Sequence, residues 1–148
     1  MLNAPTHSIA SLLFFITTIL LFLLSGCTPA ESPLQQLQGQ WVDESTRVKT
    51  TMTISSDTLL FHQGDDHWFN TTIKLVPDSL PQQLKATIYS GSTGERDIGV
   101  EVLAIYKYEE GILTIATDGS GGNFPESFED APSSYLLQRT STPIKATP

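Results

Sequence analysis

Between residues 47 and 139 apolar side chains recur at every second position, and the three-to-four spacing of an amphipathic helix is almost absent. Val48, Thr50, Met52 and Ile54 alternate with Arg47, Lys49, Thr51 and Thr53, which is the pattern of a strand with one buried face. A turn cluster, Ser55-Ser56-Asp57, and an apolar run over residues 58–62 complete a hairpin. Residues 68–76 alternate again, with Phe69, Thr71, Ile73 and Leu75 opposed to Trp68, Asn70, Thr72 and Lys74. Leu84, Ala86 and Ile88 form the next inward set. Ile98, Val100, Val102, Ala104, Tyr106 and Tyr108 predict the longest strand, and Glu109-Glu110-Gly111 turns it into a strand over 112–117. With a first strand near Trp41 and a last over 135–139, the count is about eight. The expected fold class is all-β, about eight antiparallel strands in a barrel or a sandwich, with the barrel preferred. Closure is favoured because it leaves no strand edge to aggregate.

The chain has 148 residues, enough for one domain. Sixteen acidic against eight basic residues give a net charge of −8, and every charged side chain lies after residue 30. That balance disfavours nucleic acid as a partner, since phosphate neutralisation needs a basic surface. A single cysteine excludes an intramolecular disulfide and a cysteine-based zinc site. Residues 9–24 hold thirteen apolar residues of sixteen and no charge, short of the about 20 that a comfortable membrane span needs. They run into Leu24-Ser25-Gly26-Cys27, which resembles the lipobox of bacterial lipoprotein signals at all four positions. The resemblance implies that Cys27 receives a diacylglycerol, that cleavage precedes it, and that the new amino terminus is acylated. Several acyl chains hold a domain on a bilayer far more firmly than one. The expected organisation is a signal peptide over 1–26, a Pro- and Gln-containing tether over 27–37, a barrel over 38–140 and a disordered tail over 141–148. The expected address is the cell envelope, outside the cytoplasm, with the membrane as partner through the lipid. Thr28 in place of an inner-membrane retention Asp favours, by resemblance, the outer membrane in a cell that has one.

Gly39-Gln40-Trp41, early in the first strand, is similar to the Gly-x-Trp signature of lipocalins. In that fold the Trp closes the barrel floor and an Arg of the last strand lies across it, the place that Arg139 occupies here. The chain resembles more closely a small, functionally uncharacterised lipocalin-like domain of bacterial lipoproteins and exported proteins. That resemblance runs through Leu37-Gln-Gly-Gln-Trp41, Ile105-Tyr-Lys-Tyr-Glu-Glu-Gly-Ile-Leu-Thr-Ile115, Phe124-Pro-Glu-Ser-Phe128 and Tyr135-Leu-Leu-Gln-Arg139. It implies a fold without an agreed activity, and it departs at Asn123-Phe124-Pro125, where the resemblance leads one to expect Arg before Pro.

Candidate chemistry is sparse. His62-Gln-Gly-Asp-Asp-His67 holds metal-ligand types, but reads as a solvated hairpin tip lacking further ligands at strand spacing. Asp118-Gly-Ser-Gly-Gly-Asn123 satisfies neither the calcium-loop nor the phosphate-loop pattern, and Glu109-Glu110 and Glu129-Asp130 read as surface charge. No Gly-x-Ser-x-Gly elbow occurs. The expectation is therefore no enzyme, with no catalytic residue, metal or cofactor. Phe61, Trp68, Tyr89, Tyr106 and Tyr108 are the aromatic residues taken as lining for a ligand pocket in the barrel mouth. The expected role is a lipocalin-like binding module for a small apolar or amphipathic ligand. The alternative is a barrel filled by its own side chains that contacts an envelope protein as an interaction, assembly or inhibitor module.

Overall fold

The computed structural model describes residues 31–45, 47–119 and 122–140. The expected signal peptide over 1–26, with Leu24, Ser25 and Gly26, and the expected lipidation residue Cys27 lie outside the described residues, as does the expected tail over 141–148. Eight antiparallel strands form a closed barrel in sequence order, lipocalin-like in its architecture, with each strand paired to its two neighbours. They are β1 (Gly39–Asp43), β2 (Thr50–Ser55), β3 (Thr58–Gln63), β4 (His67–Val76), β5 (Gln82–Gly91), β6 (Glu101–Glu109), β7 (Ile112–Thr117) and β8 (Ser133–Arg139). Short connections at one end follow from turn chemistry. Ser56 (φ 55°) and Asp57 join β2 to β3, and Glu110 (φ 52°) with Gly111 (φ 84°) joins β6 to β7, the two positive φ angles that suit the right-handed twist of a tight hairpin.

The alternation expected from sequence is the alternation observed in the central strands. Met52, Ile54, Leu59, Ile73, Leu84, Ala86, Ala104, Leu113, Ile115 and Leu137 are buried and turned inward. Leu103, Ile105 and Ala116 have the opposite parity yet are also buried. On the outer wall the Phe124 and Phe128 rings of the segment before β8 carry the ammonium groups of Lys85, the cross-strand partner of Leu103, at 6.0 Å and Lys107 at 5.4 Å. A strap across the outer wall thus adds apolar burial that the barrel interior does not supply.

Three differences from the sequence reading have local causes. The strand expected from Ile98 begins only at Glu101, because Gly94–Asp97 forms a 3-10 turn in which Thr93 Oγ1 bonds Asp97 Oδ2 at 2.7 Å. Ile98 and Val48, both placed on inward faces from the pattern, are instead exposed. The stretch read as tether ends in structure: α1 (Pro33–Gln36) is a single helical turn with a Ser32 and Gln35 capping box, and Leu37 behind it is 1% exposed. Leu37 turns into the barrel end because Trp41 Nε1 donates to its carbonyl at 2.8 Å. Gln38 then fastens α1 to the first hairpin, donating to Leu34 O and Ser56 O at 3.0 Å and accepting from Ser56 N at 2.6 Å.

Candidate functional site

The two ends of the barrel differ. The end carrying the tight hairpins is sealed. Trp41 is 0% exposed, the Arg139 guanidinium carbon lies 4.6 Å from its ring centre, and Tyr108 meets it edge-on at 5.8 Å. Arg139 also donates to Gln36 O at 2.5 Å, tying the plug to α1. Gly39 holds φ at 124°, a backbone region that favours glycine, with the Arg139 side chain close beside it. Gly39, Trp41 and Arg139 therefore sit together at the floor, where the lipocalin resemblance puts such a set.

The opposite end, where the longer connections lie, is hollow. A cavity of about 210 Å³ is lined by Met52, Leu59, Phe61, Phe69, Ile88 and Tyr135, with Ala86, Val102 and Ala104 behind them and Gln63, His67, Gly119 and Ser133 toward the rim. Small residues on β5 and β6 make the space. Gly91 contributes by its lack of a side chain, since a Cβ there would stand 2.4 Å from Cδ1 of Phe69. The aromatic lining is mutually braced: Phe61 stacks on Phe69 at 6.4 Å, meets Tyr135 edge-on at 5.7 Å, and His67 meets Phe69 edge-on at 4.8 Å.

Strand register sets a polar rung at this end of the barrel, of which Gln63 and His67 line the cavity. Asp43 pairs with Thr50, Thr50 with Gln63, and Gln63 with His67, so one rung across β1 to β4 is polar. Beneath it lies an apolar rung, Trp41, Met52, Phe61 and Phe69. Asp43 is 1% exposed and accepts from Ser45 N at 2.8 Å, Ser45 Oγ at 2.6 Å and Leu136 N at 3.0 Å. Burial pushes its carboxyl up, but those donors outweigh burial and hold it below its ordinary value, so it is ionised at neutral pH. Tyr135 is shifted the other way, first by burial and further by the Asp43 charge against an opposing hydrogen bond to Ser133.

Of the five aromatic residues taken as pocket lining, the structure puts only Phe61 in the cavity. Trp68 lies on the outer wall, stacked on His62 at 6.4 Å, and Tyr89 is 48% exposed beside the bulge between β4 and β5. Both belong to the outward parity of their strands. Tyr106 is buried in the core toward the filled end, where burial raises its phenol above its ordinary value, and Tyr108 lies at that end edge-on to Trp41 but is 36% exposed. The two imidazoles of the β3–β4 hairpin separate, His62 outward and His67 to the cavity rim. Gln63, Phe69 and Tyr135, which line the cavity, were missed as pocket residues. The signal available for them was parity itself. Matched against protein-family models, curated proteins and solved structures, the chain finds no counterpart in any of the three comparisons.

Proposed function

We propose that this protein is a lipid-anchored, extracytoplasmic binding module whose barrel holds a small apolar or amphipathic ligand without transforming it. The observation that carries the reading is the apolar cavity of about 210 Å³ at one end of a barrel whose other end is plugged. Its size sets the ligand. Drug-sized pockets run to about 300 Å³ and beyond, whereas a dry cavity of about 150 Å³ is enough for benzene. The expected ligand is thus a body of six to ten carbons on the order of that space, or the end of a longer chain that leaves through the rim. A barrel filled throughout, the premise of the protein-interaction alternative, fits the Trp41 end but not this one. Support for anchoring comes from Leu24-Ser25-Gly26-Cys27 alone.

One experiment addresses both parts. Full-length protein expressed in bacteria and purified from membranes is measured by intact mass spectrometry under native and denaturing conditions, with Cys27→Ser in parallel. The native spectrum is expected to show an added small apolar molecule that denaturation removes, and the denatured spectrum an acylated chain beginning at Cys27. A bare native mass in cells rich in such compounds counts against the ligand reading. An unprocessed, unacylated wild-type chain overturns the anchor.

A further inference from the structure

The cavity wall is rich in rings. Phe61, Phe69 and Tyr135 line it, with the His67 imidazole at the rim, and neighbouring rings lie 4.8–6.4 Å apart. Three of those four contacts are turned by 70–89°, so a guest among them meets ring faces and ring edges together. Aromatic pairs prefer such edge-to-face or offset contacts. Size points the same way. A dry cavity of about 150 Å³ is enough for benzene, so about 210 Å³ takes one ring with a short substituent.

The lining also holds no Lys, Arg, Asp or Glu among the described residues. Two of its hydroxyls are already spent: Thr71 Oγ1 donates to Leu59 O at 3.0 Å, and Thr117 Oγ1 donates to Leu103 O at 2.9 Å. Ser133 and Tyr135 stand two residues apart on β8, on the same face, with their side chains hydrogen-bonded to each other. Burial pushes the Tyr135 phenol up, which keeps it neutral at pH 7. Two hydroxyls joined by one hydrogen bond retain a free O–H and open acceptor sites, so the pair can give a hydrogen bond to a guest or take one from it. An ionised guest, by contrast, leaves water for a wall that offers it no counter-charge. Asp66 beside His67 and Asp118 beside Gly119 are exposed, so they repel an anion at the mouth, while solvent screens what they offer a cation.

We infer that the cavity takes an uncharged, single-ring aromatic molecule whose one hydroxyl bonds the Ser133 and Tyr135 pair, an aromatic alcohol or a phenol. This narrows the binding reading above and rests on it.

Benzyl alcohol, benzoate and benzylamine share a ring and one exocyclic carbon and differ at pH 7 in the charge of the head. Toluene lacks the head, and hexan-1-ol lacks the ring. Each is titrated into the full chain in detergent and followed by methyl NMR shifts of Met52 and Ile88, with affinity referred to the free probe. Benzyl alcohol is expected to bind about tenfold more tightly than either charged probe and about fivefold more tightly than hexan-1-ol. Tyr135→Phe combined with Ser133→Ala removes both hydroxyls and keeps the ring. The pair of changes is expected to weaken benzyl alcohol about fivefold and leave toluene unchanged, a split that a general loss of fold does not produce. Benzoate or benzylamine binding as tightly as benzyl alcohol overturns the neutral-guest inference and leaves the binding reading standing. Hexan-1-ol binding as tightly overturns the preference for a ring. A double variant that treats benzyl alcohol and toluene alike overturns the role given to the hydroxyl pair. If no probe binds, the binding reading falls and this inference with it.

Discussion

Trp41 is held on every side: its ring is covered by Arg139 and Tyr108, its Nε1 is spent on Leu37 O, and its Cα is paired with Met52 and with Arg139. Truncation would therefore leave a cavity that rigid strands cannot close. Trp41→Ala is expected to lower stability by about 3–5 kcal/mol in chemical denaturation, and a loss below about 1 kcal/mol would contradict its role as plug. This residue was legible in the sequence only through the resemblance of Gly39, Trp41 and Arg139 to the lipocalin signature, and glycine is the residue suited to the φ of 124° at position 39. Thr50 was legible as an inward residue from its alternation with Met52 and Ile54, whereas Asp43 was not, because a polar residue at a strand end reads as solvated unless its parity is followed inward. Trp68 and Tyr89 failed for the converse reason. Their aromatic character suggested lining, while the alternation of Phe69 with Trp68 and of Ile88 with Tyr89 already turned them outward.

Among the elements, the closing seam is the weakest ladder. β1 and β8 share two registered pairs, Trp41 with Arg139 and Val42 with Gln138, whereas β7 and β8 share six. The seam is extended by Thr140 N to Gln40 O at 2.9 Å at one side and by Asp43 Oδ2 accepting from Leu136 N at 3.0 Å at the other. A carboxylate thus takes over where backbone pairing stops. Its pKa lies below the ordinary value of 3.8 in the folded state, so the native form binds fewer protons than the unfolded chain near that pH. The contribution is present in full above 3.8 and disappears as pH falls through the lowered folded value. The stability difference between wild type and Asp43→Asn, measured by denaturant titration from about pH 6 to about pH 2, is expected to shrink across that window. A difference independent of pH would show that the charge does not brace the seam. Strand existence and order were readable from period two, whereas the late start of β6 was not. Ile98 and Val100 keep the period, but the bond between Thr93 and Asp97 takes the backbone into a 3-10 turn.

At the level of the whole molecule, the barrel divides into a filled half and a hollow half. Large side chains converge at the Trp41 end, while Ala86, Ala104 and Gly91 leave room at the other. The sequence carried this division only in part. It supplied the strands and their closing set, but a cavity depends on which small residues face which large ones across the barrel, and that requires register. The outer strap with Phe124 and Phe128 was legible as a connection and not as a cover, since burial of Ile105 from outside has no period of its own. The central claim is the hollow end, and xenon tests it most directly because it enters dry apolar cavities without needing a particular chemistry. Diffraction from crystals under xenon pressure is expected to place xenon among Phe61, Ile88 and Tyr135, with no site at the Trp41 floor. Solid side-chain density between those three residues, with no xenon bound there, would contradict the account.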